Sequence, residues 1–306
     1  MAAISASMVK ELRDRTQAGM ADCKNALVES DGDMEKAVEV ILKKGIVKAA
    51  SRAGRIAAEG EVATWIAPDA RKGVIVEINS QTDFVSRGDD FKGLVKAVVE
   101  VASKAPKGAD LGTHPCPGTS KTIDAVRAEL VAKTGENMVV RRWAGLEAKE
   151  PNGFVAAYVH AGGKLAVLVH AEGPKGPETT SFVDNVAMQI AAMNPMVVSK
   201  GDVTKAQLDK QNEIFAAQLK EEGKPEAAWP KILDGKLAKW LTEVTLLGQD
   251  NVWDPPAGSI DKIRLELGKR LGSEVKIHAF VRFSLGEGIE RTKEDLAAEV
   301  AKTIGT

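Results

Sequence analysis

Hydrophobic positions change period several times along the chain, and each change marks an element. Over the first 50 or so residues the period is helical. Met8, Val9 and Leu12 form one apolar side, with Ser7 placed to cap the first helix. Met20, Cys23, Ala26 and Leu27 form a second side. Met34, Ala37, Val38, Ile41 and Leu42 form a third, capped by Asp33 and ending at Gly45. Three helices this short bury little surface, so the segment reads as a small module that leans on a partner. The basic, Ala-rich stretch from Ile46 to Arg55 suits either a linker or an exposed helix.

The period then drops to two. Val62, Thr64 and Ile66 alternate, a turn follows at Pro68 to Gly73, and Val74, Val76 and Ile78 alternate again. Phe91, Leu94, Val95, Val98 and Ala102 mark a helix. A Pro- and Gly-rich loop spans Ala105 to Ser120. A second helix carries Ile123, Val126 and Leu130, stops at Gly135, and leads to a strand from Met138 to Trp143. The same grammar returns at Phe154: Val155, Ala157 and Val159, a turn at Ala161-Gly162-Gly163, then Leu165, Val167 and Val169, and a helix with Phe182, Val186, Ile190 and Met193. Residues 61–104 and 153–194 therefore read as one duplicated supersecondary unit.

From Asp202 to Gly248 the pattern predicts an antiparallel helical hairpin. Leu208, Phe215 and Leu219 lie on one arm; Trp229, Leu233, Leu237, Trp240, Val244 and Leu247 lie on the other, with a hinge at Glu222-Gly223-Lys224-Pro225. Its tryptophans suit a core, and equally a cover for a partner or for a second copy of the chain. After Pro255-Pro256 come a helix (Ile260, Ile263, Leu267, Leu271), a strand from Val275 to Phe283 and a terminal helix (Leu296, Val300, Ile304). The overall class is α+β.

Composition narrows the function. Lys plus Arg total 42 against 43 Asp plus Glu, a net charge of -1 over 306 residues, which argues against direct nucleic-acid binding. Aromatic content of 4% also disfavours a base-stacking surface. No apolar run is long enough for a bilayer, and the N-terminus runs straight into a charged amphipathic segment rather than a signal peptide, so a cytoplasmic setting is expected. Phosphate-loop, dinucleotide, nucleophile-elbow and HExxH patterns are all absent. His114 and Cys116 share a loop, but two ligands do not make a zinc site. His160 and His170 flank a predicted hairpin, and the sequence supplies no third member for a triad. Gly286-Glu287-Gly288 reads as a turn. No catalytic residue, metal or cofactor is expected. One segment resists a bland reading: in Ser80-Gln81-Thr82-Asp83-Phe84-Val85, Phe84 either staples the next helix with Asp83 as its cap, or stands out as an aromatic wedge beside a carboxylate.

Four stretches in register give the chain a resemblance to the bacterial elongation factor Ts family. They are Val9 to Arg13 with Gly19 to Lys24; Glu77 to Val85; Gly135-Glu136-Asn137 with Arg141-Arg142; and Arg282-Phe283 with Gly286 to Glu290. The resemblance implies a ubiquitin-associated-like three-helix module over 1–55 and two related α+β core subdomains over 56–145 and 146–290. The second would hold the hairpin at 202–248, and a C-terminal helical module would follow over 291–306. It also implies a guanine nucleotide exchange factor for elongation factor Tu. In that role Asp83 and Phe84, flanked by Thr82 and Val85, enter the GTPase domain near its magnesium site. Met20 and Lys24 hold the same domain, and Thr134, Gly135 and His160 touch the partner. The chain departs from the most familiar members at Ala161-Gly162-Gly163, which lengthens the turn after His160.

Overall fold

A computed structural model of the chain describes residues 4–290 apart from Gln17 and Ala53, and leaves the side chains of 42 and 45–52 aside. The expected terminal helix over 291–306 lies outside the described residues. The first three helices, α1 (Ala6–Thr16), α2 (Met20–Glu29) and α3 (Met34–Arg52), close on one small core of Val9, Leu12, Cys23, Ala26, Leu27, Ala37 and Ile41. Two local expectations shift. Ser5, not Ser7, caps α1, its Oγ accepting the Met8 amide at 3.3 Å. The third helix does not stop at Gly45 but continues to Arg52, so the basic stretch is helix rather than linker; one glycine costs a helix only about 1 kcal/mol. Asp33 caps α3 as expected, accepting the Lys36 amide at 3.1 Å.

Next come β1 (Glu59–Ile66), β2 (Lys72–Ser80), the single turn α4 (Asp83–Ser86), α5 (Asp89–Lys104), α6 (Ile123–Thr134) and β3 (Met138–Glu147). The strands form an antiparallel sheet in the order β1-β2-β3. Then β4 (Gly153–His160), β5 (Leu165–Glu172), α7 (Pro177–Met193), α8 (Lys205–Glu221), α9 (Trp229–Val244), α10 (Ile260–Leu271) and β6 (Lys276–Ser284) follow, with sheet order β4-β5-β6. In both sheets the hairpin comes first and the third strand returns after the helices to pair with the middle one.

The likeness runs further than the repeat read from hydrophobic pattern. Thr122-Ile123-Asp124 opens α6 and Ser259-Ile260-Asp261 opens α10, each with an arginine three residues past the Asp. Thr122 and Ser259 cap their helices through the hydroxyl. Arg127 and Arg264 each bond that Asp at 2.9 Å and then reach the backbone carbonyl eleven residues on, of Met138 at 3.0 Å and of Val275 at 2.7 Å. Gly135 and Gly272 end the two helices in the left-handed conformation.

Each sheet covers one face with its own helices. Val74, Val76 and Ile78 meet Phe91, Leu94, Val98, Ile123 and Val131; Val167 and Val169 meet Phe182, Val183, Val186, Ile190 and Leu267. The remaining faces pack on each other through Val62, Ile75, Val155, Ala166, Leu168 and Phe283. The result is helix, sheet, sheet, helix. Because β2 is covered on both sides, eight of its nine residues are buried, unlike the half-exposed strand that alternation alone predicts. Close approach needs Gly73, where an added Cβ would lie 2.8 Å from Val155 Cγ1.

The helical hairpin forms with the expected hinge, where Gly223 takes φ +66 and the Trp229 indole donates to the Lys224 carbonyl at 2.9 Å. Its tryptophans are not a buried core, however: α9 contains no buried residue, and Trp229 and Trp240 are half-covered. The hairpin joins the body at its base, where the Leu246 and Leu247 amides donate to the Val197 and Val198 carbonyls at 2.9 and 3.0 Å.

A buried acid ties the two sheets at one end. Glu77, in the middle of β2, has no solvent exposure. Arg141 donates to one of its oxygens at 2.8 Å, Arg142 to the other at 2.5 Å, and the Gly286 amide, just past β6, to the first at 2.8 Å. Successive strand residues normally face opposite ways. A bulge in β3 breaks that rule: Glu77 pairs with Arg142 and Ile78 with Val140, leaving Arg141 as the extra residue and letting both arginines reach one carboxylate. Arg142 also bonds the Ser284 carbonyl at 3.1 Å and stacks over Phe283 at 4.3 Å.

Burial alone would raise the Glu77 carboxyl, but the Gly286 amide and the two guanidiniums outweigh it and hold the group below its ordinary value. A depressed folded value means the acid stabilises the fold fully above its unfolded value near 4.5 and less as pH falls through the folded one. Glu77→Gln should therefore cost about 2–3 kcal/mol at pH 7, under the 3–5 of a fully buried pair because both guanidiniums keep some solvent contact. Urea unfolding from pH 7 to pH 3 should also show a shallower loss of stability in the variant than in the unchanged chain.

Candidate functional site

The segment from Ser80 to Ser86 leaves the end of β2 and makes one helical turn. Thr82 has extended backbone angles and caps that turn, its Oγ1 accepting the Val85 amide at 3.4 Å. Asp83, at the first position, pairs with Arg87 at 2.7 Å on an exposed surface. Phe84 comes next and is 83% exposed, the most exposed of the large apolar side chains among the described residues. The stapling alternative fails here: Phe84 stays exposed, and Gly88 rather than Asp83 stands at the N-cap of α5. Val85 turns inward and packs against the core beneath the sheet.

A second segment clamps this turn. After Gly135 ends α6 at φ +80, Glu136 reaches back and accepts the Thr82 amide at 3.0 Å and the Thr82 hydroxyl at 2.7 Å. The Asn137 amide donates to Gln81 Oε1 at 2.7 Å, while its side chain donates to the Arg55 carbonyl at 2.9 Å. Ser80 and Ser86 close the local network on the Thr82 and Asp83 carbonyls at 2.9 and 3.1 Å. An aromatic ring in water is thus mounted on backbone pinned from both sides. Pre-organisation of this sort lowers the ordering cost of binding.

The other expected site residues are distributed around this turn. Thr134, exposed, ends α6 and bonds the Leu130 carbonyl at 2.8 Å and the Glu136 amide at 3.3 Å, so Thr134 and Gly135 belong to the clamp itself. His160 is exposed at the end of β4, its Nδ1 2.8 Å from the Tyr158 hydroxyl. The lengthened turn behind it, with Gly162 and Gly163 at φ +68 and +74, rests on β1, where a Cβ at position 163 would meet Glu61. Lys164 then pairs with Glu59 at 2.6 Å, and Glu59 is the strand partner of Ser80. His160 and Phe84 therefore belong to the same end of the sheet pair. Met20 and Lys24 lie one turn apart on the exposed side of α2, opposite the buried Cys23, Ala26 and Leu27. Their module meets the core where α3 packs on α6, the helix that ends at Thr134.

Glu77, Glu136, Arg141 and Arg142 carry this geometry without having been assigned roles from the residues alone. A signal for Glu77 was present: a lone acid inside Val74-Ile75-Val76-Glu77-Ile78 is a charge in an otherwise apolar central strand. Outside the family resemblance no pattern marks Glu136, because its partner lies 54 positions away.

Removing the clamp should loosen the turn without unfolding the core. In Glu136→Ala we expect a stability loss of about 1–2 kcal/mol, from two bonds to a charged acceptor in a half-exposed setting. Amide exchange at Thr82 and Val85 should accelerate while exchange at Val98 stays unchanged, as hydrogen-exchange NMR would record.

The chain was compared with known proteins. The family model described as Elongation factor TS matches residues 81–287. Elongation factor Ts of Clostridium perfringens strain SM101 is 45% identical over 305 residues, covering 99% of both chains. The proteins of the same name from Nitratiruptor sp. and Halothermothrix orenii are 44% and 42% identical, each covering 98% of both chains. Likeness at this level spans the module, both sheets and the clamped turn alike. This chain belongs to the elongation factor Ts family of translation elongation factors.

Proposed function

We propose that the chain is a guanine nucleotide exchange factor that binds the GDP-bound GTPase elongation factor Tu and speeds GDP release. One observation carries the reading: Phe84 stands 83% exposed on a turn held by Thr82 and Glu136. An unpartnered ring of this kind gains about 2–3 kcal/mol on full burial in a partner. The clamp keeps that gain from being spent on ordering the loop. Asp83 sits in a surface pair with Arg87, a contact of low net value that exchanges readily for groups on a partner.

In the bound GTPase, phosphate oxygens and magnesium hold GDP together, and magnesium tolerates little departure from octahedral geometry. A ring wedged beside that site, with a carboxylate next to it, shifts the surroundings of the ion and weakens nucleotide binding. Factor and nucleotide then disfavour each other by the same free energy. No bond is made or broken, so the chain acts without catalytic groups of its own. Met20 and Lys24 supply a second hold from the module, and Thr134, Gly135 and His160 complete the contact around the turn. In this reading 1–55 is the partner-binding module, 56–145 and 146–290 are the two core subdomains, and 291–306 is a C-terminal helical module. The working place is the cytoplasm. The half-covered stripe of α9 leaves the hairpin available for self-association.

The test is release of a fluorescent GDP analogue from elongation factor Tu. The unchanged chain should accelerate release. Phe84→Ala should lower that acceleration by about tenfold or more, the range of an aromatic interface anchor, while complex formation by gel filtration persists. If Phe84→Ala accelerates release as well as the unchanged chain, the wedge is wrong and the protein is a binding adaptor.

A further inference from the structure

The bulge that serves Glu77 has a counterpart in the second sheet. There His170 of β5 pairs with Ala279 and Ala171 with Ile277, so His278 is the extra residue of β6. By position in the repeat, His170 corresponds to Glu77, and His278 to Arg141. The chemistry has changed. His170 is buried, its Nε2 2.8 Å from Glu150 Oε2, in the segment that joins the two sheets. His278 stacks on it with ring centres 4.7 Å apart, and its Nε2 lies 3.0 Å from Glu172 Oε2. Glu172 is two residues beyond His170 in β5 and so shares its face. Ligand atoms of Glu150, His170 and His278 lie within 4.8 Å of one another.

Charge distinguishes the two ends. Around Glu77 two guanidiniums meet the buried carboxylate, and Glu287 pairs with Arg142 and Arg282 at the rim. Around His170 two carboxylates meet two imidazoles; the cations nearby are Lys276, half-exposed and 4.0 Å from Glu172, and Arg71, whose guanidinium donates to the Glu150 carbonyl at 2.6 Å. Two imidazoles and two carboxylates together offer nitrogen and oxygen donors of the kind a divalent ion takes. Nitrogen and oxygen donors in fours are what zinc takes, at about 2.0–2.2 Å.

The geometry points to a zinc site at Glu150, His170, Glu172 and His278. Drawing in the four donors requires rotation of side chains at the rim of the sheet, where Glu150 and His278 keep solvent contact. The bound ion would fasten the joining segment to β5 and β6, as the arginines fasten β3 to the turn after β6 at the opposite cluster. It would act on the rigidity of the sheet pair and not on the nucleotide.

The experiment is zinc titration of the metal-stripped, untagged full chain by calorimetry, with metal content measured after gel filtration. One zinc per chain is expected, together with a rise in melting temperature on zinc addition. His278→Ala replaces a solvent-contacting side chain and should fold as before, but bind zinc at least about tenfold more weakly and lose the melting shift. Glu150→Gln should do the same, while His114→Ala and His160→Ala should bind like the unchanged chain. Cobalt in place of zinc should give four-coordinate visible bands without a thiolate charge-transfer band, which separates this site from Cys23 and Cys116. Failure of the unchanged chain to take up zinc saturably, or equal uptake by His278→Ala and Glu150→Gln, would overturn the assignment.

Discussion

A carboxylate removed from water must be met by enough donors, and much of this fold follows from meeting Glu77. The acid lies in the central strand of the first sheet, faces the second sheet, and has no solvent exposure. Its donors are two adjacent arginines made co-facial by a bulge, the side-chain amide of Asn79, and a backbone amide just past the end of the last strand. Gly286 takes φ +69 there, and its α-carbon lies so near the Ala58 carbonyl that a Cβ would come within 2.7 Å. The sheets are thus held by apolar contact over their area and by one directional clamp at their edge. Apolar contact tolerates sliding; the clamp does not.

Rigidity at the working end follows from the same economy of parts. Three residues past Glu77, β2 ends and the turn bearing Phe84 begins, so the strand that the acid fixes is the strand that aims the ring. Glu136 fixes the turn from the other side, and it leaves a helix whose end is set by Gly135. The exposed aromatic thus rests on the end of β2 and on the short segment that joins α6 to β3. Its position is set by hydrogen bonds within the fold.

Most of the architecture was legible because it rests on periodicity. The three N-terminal helices, both hairpins, the long helical pair and the returning strands all carry stripes or alternation that a single strand or helix displays by itself. What escaped was what depends on distant partners. Alternation in β2 suggested one buried face, and only packing on the second sheet accounts for the burial of Ile75 and Glu77. Helix α3 ran through Gly45 because one glycine is a weak stop. For Phe84 the residues alone left two readings open, and its exposure speaks against stapling, which would have hidden the ring. The repeated Ile-Asp corner of α6 and α10 was legible in principle, since its residues are spelled alike, but it lies outside the hydrophobic pattern by which the repeat was found. His170 and His160 did flank a hairpin, yet they stand at opposite ends of it, and the residues His170 meets lie 20 positions upstream, at Glu150, and more than a hundred downstream, at His278.

The long helical pair shows what an insertion must do to be harmless. It leaves the body after Val198 and returns at Leu246, and those two points are already joined by backbone hydrogen bonds. To the second sheet, therefore, some fifty residues count as a short loop: the closure that would otherwise weaken with chain length is settled at the root. Length and surface beyond that root can drift without disturbing the strands, which leaves this arm free to diversify while the rest of the molecule is held to its register.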